Sequence, residues 1–317
     1  MNVLKQITLV AFILGCSFTA QAKQVNERLE VKENVRVMIE NLRGKVAISG
    51  SASLTVKVEG VLDYKATDFV FKQEGNTVII QVQMPHNMNQ SFWDNDGQET
   101  DLKIQLPKSA QVYFKGVSSD ASIENIENDV NIKTVSGDID AKDLASRIEL
   151  DTVSGSIKSQ RLSGRINLNT VSGDINDSGS KGRINYQAVS GDIEASSTGE
   201  EIYASVISGN LNIELAKVID AELTSISGDI DANLELSDEG LLKMSSISGD
   251  IDVALQKGVN AEVRIHSQAG GKITNKLNND KVDKDKHGAS SQLNTVVGNG
   301  SAAIKASTIS GRVRLHY

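Results

Sequence analysis

Carboxylate side chains recur at a regular spacing through the middle of the sequence, each directly after a Ser-Gly pair. Stacked carboxylates repel one another without a counterion, and nonapeptide calcium rolls also carry acids in their turns. However, each turn has one glycine instead of several, and Ser156 and Asn210 occupy the same position in two copies. We interpret the acids as turn residues that accept hydrogen bonds from backbone N–H groups, with weak calcium binding as the alternative. They are Asp138, Asp174, Asp192, Asp229 and Asp250.

Basic side chains follow the same 18-residue period at another point of the repeat. Arg147, Arg165 and Arg183 form this series, and Glu201 takes the next position. Charges at such a spacing are typical of a solvated face, which is our interpretation. A binding strip for an anionic glycan is the alternative.

The segment 93–101 combines acids with neighbouring aromatic residues. It lacks the twelve-residue pattern of a calcium-binding loop, so we predict a solvated loop without a metal. Trp93 and Phe92 could stack on a sugar ring or close the core beneath the loop. The acids are Asp94, Asp96, Glu99 and Asp101.

Residues that would support catalysis are scattered. No G-x-S-x-G motif occurs, and glycosidases of the β-helix type use paired carboxylates, commonly on long loops that interrupt the coils. Such loops are nearly absent from 117–255. We therefore predict a protein that is not an enzyme and has no cofactor; a polysaccharide-active β-helix enzyme is the less favoured alternative. The histidines are His86, His266, His287 and His316.

An internal repeat positions all of these residues. Ser136, Ser154, Ser172, Ser190 and Ser208 recur with an 18-residue period within copies of T-V-S-G-D-I, and later copies centre on Ser227, Ser248 and Ser310. A fainter motif lies midway, as in "LSGRINL" (162–168). The 18-residue unit is thus made of two halves, which is typical of a solenoid.

The alternation inside each half indicates β-strands. In "RINLNTV" (165–171), Ile166 and Leu168 share one side while Asn167 and Asn169 share the other. We predict an all-β fold, a right-handed parallel β-helix of about 18-residue coils. Successive hairpins in a β-sandwich and a left-handed hexapeptide helix are the alternatives. Two internal columns are expected: Ile139, Ile157, Ile175, Ile193 and Leu211, and Ile148, Ile166, Ile184 and Ile202.

The regions that flank the repeats suggest how the stack ends. Residues 23–108 read as longer, irregularly spaced strands and are predicted to cap the repeat domain of 109–317. The charged segment 274–291 is expected to be an exposed excursion between coils. The strand "GRVRLHY" (311–317) is expected to end the stack, with Arg312 and Arg314 discouraging further growth. We therefore expect a monomer, or at most a weak dimer.

Residues 1–22 have the pattern of a cleavable signal peptide. Lys5 precedes the short apolar run 7–15, and "AQA" (20–22) resembles a cleavage site. A lipoprotein anchored through Cys16 is the alternative. The net charge of −8 argues against nucleic acid as a partner. We predict a periplasmic or cell-surface protein without a membrane-spanning segment.

The segment "DLKIQLPKSAQVYFKGVSSDASI" (101–123), the serial T-V-S-G-D-I copies and the closing "TISGRVRL" (308–315) resemble the bacterial putative-adhesin β-strand-repeat family, a family of unknown function. The resemblance implies an exported, all-β, solenoid-like protein and brings no catalytic residues. We expect a structural or adhesin-like binding module of the bacterial envelope, with an unknown envelope protein or glycan as its partner. A calcium- or glycan-binding repeat protein is the alternative.

Overall fold

The computed structural model describes residues 23–85, 97–286 and 288–317. The described residues form strands, turns and bends without a helix, so none of them belongs to a helix that could cross a membrane. The first half of the chain contains β1 (Gln24–Glu30), β2 (Arg36–Ser51), β3 (Thr55–Val61), β4 (Asp68–Glu74), β5 (Thr77–Gln83), β6 (Thr100–Pro107), β7 (Gln111–Ile126), β8 (Val130–Lys133), β9 (Ile139–Thr152), β10 (Ile157–Gln160) and β11 (Ser163–Thr170). The second half contains β12 (Ile175–Ser190), β13 (Ile193–Ser197), β14 (Glu201–Ser208), β15 (Leu211–Ser227), β16 (Ile230–Ser248), β17 (Ile251–Leu255), β18 (Ala261–Ser267), β19 (Lys272–Asn275), β20 (Asp283–Lys284), β21 (Ser291–Val297), β22 (Ala302–Ser310) and β23 (Arg312–His316).

The strand pairings form two series, here called the first face and the second face. Long strands such as β12 and β15 bend and contribute to both faces. The first face runs β4-β5-β2-β7-β8-β9-β11-β12-β14-β15-β16-β22-β18-β21-β20. The second face runs β1-β3-β6-β2-β7-β9-β10-β12-β13-β15-β16-β17-β23-β19. The result is an all-β, solenoid-like stack.

Equivalent residues of successive repeats lie side by side in the central strands. Ile157 pairs with Ile139 on one side and with Ile175 on the other, so that each neighbour is one repeat away along the chain. Ile166 is placed in the same way between Ile148 and Ile184. All these isoleucines are at most 1% exposed. These pairings and this burial confirm the two predicted internal columns. Alternate side chains of each strand point into the core, where they are removed from water.

The end of the stack differs from the sequence-based expectation. Strand β23 does not end the second face but lies between β17 and β19, in parallel with both. Strand β22 likewise lies between β16 and β18 on the first face. The segment 302–317 therefore forms an inserted coil, and the chain of 256–301 leaves the stack to build the outermost strands first. The prediction that 311–317 closes the stack is wrong.

The role predicted for the arginines of the last strand is wrong for the same reason. Arg312 and Arg314 are not charges on a free edge, because they face Asp250 and Asp252 of the neighbouring coil at 3.8 and 2.9 Å. Three of the four sheet edges instead end in antiparallel strands, and the fourth, at the C-terminal end of the second face, ends in the four-residue strand β19, which is parallel to β23. Strands β1 and β4 run antiparallel at one end, and β20 and β21 do so at the other.

The N-terminal strand β2 stacks directly on β7 over both faces, from Arg36 beside Gln111 to Ser49 beside Glu124. At the bend of β2 the side chain of Arg43 is fully buried and forms an ion pair with the buried Asp63. A buried charge is tolerated only when it is paired and hydrogen-bonded. This ion pair fixes the β3–β4 connection against the first coil.

Candidate binding groove

The repeated turn acids form a hydrogen-bonded column along one corner of the stack. The Oδ1 atom of Asp174 accepts a hydrogen bond from the backbone N–H of Asp192 at 2.9 Å, and Asp192 accepts one from Asn210 at 2.7 Å. Ser156 and Asn210 take the same role with their hydroxyl and amide oxygens. The column continues through Asp229 and Asp250 to the backbone of Arg312. The turn interpretation is confirmed, with the difference that each donor belongs to the next coil.

A continuous open groove follows the outer side of the second face. Its C-terminal part encloses about 610 Å3 and its N-terminal part about 510 Å3, and the two parts share Lys158 and Asn176. The groove reaches from Lys45 to His316. The side chains of one strand that point away from the core are fixed at the strand spacing of about 4.8 Å. The groove therefore presents a regular series of polar groups on a rigid sheet.

The groove is lined mainly by carboxylates and neutral polar groups. In its central column, each residue pairs with the equivalent residue of the next coil without a gap. Cations occur in this column only at Lys158 and near the last coil. There Arg314 contacts Asp252 at 2.9 Å and the His316 ring nitrogen lies 3.0 Å from the same carboxylate. The column is Ser122, Asp140, Lys158, Asn176, Glu194, Asn212, Asp231, Asp252 and Arg314.

The acidic part of the groove raises the pKa of one of its carboxylates. Partial burial raises the pKa of Asp231, the neighbouring carboxylates of Asp252 and Asp229 raise it further, and Arg314 opposes them. Like charges on adjacent strands disfavour full ionisation. A ligand that brings hydroxyl or cationic groups to this part of the groove would relieve the repulsion.

A buried polar cluster lies beneath the middle of the groove. The Asp177 carboxylate accepts hydrogen bonds from the Ser159 and Ser180 hydroxyls at 2.6 Å each and from the Tyr186 hydroxyl at 2.7 Å. Burial raises the pKa of Asp177, and these three donors oppose the shift. Asp177 stands in an internal position that is Ser159 in the preceding coil, Ala195 in the next and Ala141 two coils before. The cluster stabilises the coil that forms the centre of the groove.

Of the other predicted site residues, Asp101 and His316 line the groove, whereas the arginine series does not. Arg147, Arg165 and Arg183 lie in one column at the start of the strands of the first face, and Arg183 forms an ion pair with Glu201. This arrangement fits the solvated-face interpretation. His266 lies on β18, which belongs to the first face, whereas His316 lies in the groove of the second face.

The acidic segment 93–101 is described only in part. Trp93, Phe92, Asp94, Asp96, His86 and His287 lie outside the described residues, as do the predicted signal peptide and Cys16. Glu99 lies 3.9 Å from Arg43, and Asp101 is part of β6. Within 23–85, 97–286 and 288–317, no three His, Cys, Asp or Glu side chains lie close enough to hold a metal ion.

Sequence reasoning missed the groove, the Asp177 cluster and the Arg43–Asp63 pair. The signal for Asp177 was present, since a charged residue interrupts an internal column of small apolar residues. The groove depends on how the coils bend, for which the repeat carries no signal.

Similarity to known proteins extends over nearly the whole described chain. Residues 29–316 match the model of the family described as Toastrack DUF4097. No curated protein matches the chain. A crystal structure of a putative adhesin from Bacteroides fragilis is similar at 15% identity, covering 93% of this chain and 98% of that one, with a TM-score of 0.35. A putative cell adhesion protein from Clostridium sporogenes is similar at 11% identity, covering 93% and 99%, with a TM-score of 0.22. Because the family match spans far more than half of the chain, the protein belongs to the Toastrack DUF4097 family.

Proposed function

We propose that this protein is an exported, non-catalytic binding module of the bacterial envelope and that the groove of the second face binds an extended glycan. The observation that carries the proposal is the continuity of the groove over eleven strands, from Asp101 on β6 to His316 on β23. Ten steps of ~4.8 Å give a length of roughly 48 Å, which suits a polymer better than a small molecule.

The chemistry of the lining favours a glycan. Amide, carboxylate and hydroxyl groups exchange hydrogen bonds with sugar hydroxyls in both directions, and the groove repeats them at every coil. Most of the charged lining is acidic, so a neutral or amino-substituted glycan is compatible and a strongly anionic one is not.

The proposal also covers the export of the protein, the geometry of its coils and its N-terminal cap. The pattern of residues 1–22 supports a cleavable signal peptide and a periplasmic or surface location. We keep a right-handed solenoid with 18-residue coils as the detailed form of the stack, and residues 23–108 as its cap. The rigid, repetitive groove supports binding and not catalysis, because it positions equivalent groups instead of one distinct reactive set.

The test is a glycan array probed with the wild-type chain and with groove variants. Asn176→Trp and Asn212→Trp fill the groove from exposed positions and should abolish binding to the glycans that the wild type retains. Asn185→Trp places the same ring on the outer side of the first face and should leave binding intact. Binding that survives both groove variants, or an envelope protein as the ligand that Asn176→Trp displaces, would overturn the glycan assignment. The absence of any ligand on the array and in envelope extract would overturn the binding function.

A further inference from the structure

A line of exposed aliphatic side chains runs along the corner between the two faces. Each residue directly precedes the Ser-Gly pair of its repeat, and each is between 40 and 46% exposed. The serine that follows each of them is exposed as well. These eight residues, here called the aliphatic ridge, are Val135, Val153, Val171, Val189, Ile207, Ile226, Ile247 and Ile309.

The ridge is not explained by folding or by the groove. The threonine before each of the first valines points inward, as at Thr152 and Thr170, so the valine is forced outward at the turn. A turn position that faces water usually holds a polar residue, because exposing an aliphatic side chain costs free energy. Eight β-branched aliphatic residues in one line therefore indicate a surface that is covered by a partner.

We propose that the aliphatic ridge is the contact surface of a weak homodimer in which two copies lie side by side with parallel stack axes. A second copy is the partner that matches the ridge in spacing, because its own ridge repeats at the same ~4.8 Å. Each apolar side chain of one copy then meets the equivalent side chain of the other over seven steps, roughly 34 Å. A lipid surface is a poor fit, since the column of turn acids lies beside the ridge.

The charges beside the ridge favour one of the two possible orientations of the two copies in the dimer. A two-fold axis along the ridge places the turn-acid column of each copy against the last outward column of the first face of the other. Asp138 then faces Lys133 of the second copy, and Ser156 faces Asp151. The remaining turn residues face uncharged partners, namely Asn169, Gln187, Ser205, Thr224, Ser245 and Ser307.

An axis across the ridge would give an antiparallel dimer with a worse charge pattern. It places the two turn-acid columns against each other, so that Asp138 of each copy meets Arg312 of the other, as favourable a pair as Asp138 with Lys133. However, Asp174 of each copy also meets Asp229 of the other. Like charges in direct contact are unfavourable at an interface. The parallel arrangement avoids every such contact, since the one acid in the opposing column meets a serine.

The size of the ridge predicts a weak dimer. The two flanking columns are five residues apart along the chain, at most about 16 Å for an extended chain and less at this turn, so the contact strip covers at most about 500 Å2 per copy. Stable interfaces bury about 800 Å2 per partner. The dimer should therefore form in a concentration-dependent way.

Sedimentation of the full chain from low micromolar to near-millimolar concentration tests the proposal. The wild type should pass from monomer to dimer, and Val171→Asp combined with Ile207→Asp should raise the dissociation constant at least about tenfold. Val296→Asp changes an aliphatic residue on β21 that is no less exposed but lies away from the ridge, and should leave the constant unchanged. A wild type that stays monomeric throughout, or a double variant that dimerises like the wild type, would overturn the proposal.

Cysteine cross-linking tests the orientation in a chain with Cys16→Ser. Ser154→Cys and Ser248→Cys lie five steps apart along the corner, about 24 Å. In a parallel dimer each variant forms a disulfide with itself, and a mixture gives no Ser154→Cys to Ser248→Cys adduct. A mixed adduct as the main product would show an antiparallel pair and contradict the inferred arrangement. Neither outcome depends on whether the groove binds a glycan.

Discussion

At the scale of single residues, the stack depends on which side of a strand a side chain occupies. Ile175 is fully buried and Asn176, its neighbour, faces the groove. Replacing Ile175 by Asp would place a charge in a dry column, where an unpaired carboxylate costs several kcal/mol. We expect Ile175→Asp to lower the free energy of unfolding by at least about 3 kcal/mol.

The matched variant Asn176→Asp introduces the same carboxylate one position further on. It should change the free energy of unfolding by less than about 0.5 kcal/mol, because the new charge stays in water. Urea unfolding of the two variants measures both values. Similar losses in the two would contradict the inside-outside assignment of this strand.

The buried Asp177 predicts a specific dependence of stability on pH. Burial raises its pKa in the folded chain above the ordinary value of about 4, so the folded chain binds this proton more tightly than the unfolded one. The contribution of Asp177 is therefore complete below that ordinary value and is lost as the pH rises through the raised folded pKa.

Asp177→Asn removes this titration while keeping the shape of the side chain. The difference in free energy of unfolding between wild type and variant should shift in favour of the variant as the pH rises from about 4 towards neutral. Denaturant unfolding at a series of pH values measures the difference. Curves that stay parallel across this range would show that Asp177 does not titrate in the folded chain as expected.

At the scale of the elements, the turns decide how closely the coils stack. A Cβ atom added to Gly173 would overlap the carbonyl oxygen of Gly155 in the coil below. Gly173→Ala must therefore push the coils apart and break hydrogen bonds between them, and we expect a loss of at least about 2 kcal/mol. Thermal unfolding monitored by circular dichroism measures the effect.

Gly75 supplies the control, since its φ of +61° favours glycine but a Cβ there meets no atom within 4 Å. Gly75→Ala should cost only the backbone strain of about 1 kcal/mol. An equal loss in both variants would mean that the close approach of the coils is not what makes glycine necessary at Gly173.

The elements also show what could be predicted from the sequence. The alternation around Ile166 and the 18-residue repeat were sufficient for the strands, the internal columns and the hydrogen-bonding role of Asp192. The internal columns and the role of Asp192 both depend on contacts between equivalent residues of neighbouring coils. The placement of β22 and β23 could not be predicted, because the repeat shows which residues stack but not which coil lies next to which. The exposed position of Val171 was visible in hindsight, as it breaks the alternation after the inward Thr170.

At the scale of the whole molecule, the inserted last coil holds the C-terminal end together. Strand β18 has β22 as one neighbour and the short hairpin strand β21 as the other. Deleting residues 302–317 removes the only link between β18 and β16 that the described strands provide.

Hydrogen exchange of the truncated chain tests this dependence. The amides of 261–297 should lose protection, because two antiparallel strands with only the two-residue strand β20 beside them are marginally stable, while those of β9 to β14 should keep it. Protection of 261–297 at the wild-type level would show that these strands fold independently of the last coil.

At the N-terminal end we expect a different effect. Removal of the cap there exposes a strand edge to which other chains can add. Strand β7 is covered by β2 along both faces, and beyond β2 the antiparallel strands β1, β3 and β4 prevent further parallel stacking. A chain that starts at Ser109 leaves unpaired those N–H and C=O groups of β7 that point towards β2, while the other edge of β7 stays paired with β8 and β9. Long open strand edges recruit other chains. We expect this chain to aggregate or form filaments, whereas the chain from Lys23 onwards should remain free of large assemblies. Light scattering on both decides the point, and a Ser109 chain that stays folded and small would mean that residues 23–108 do not act as the cap of the stack.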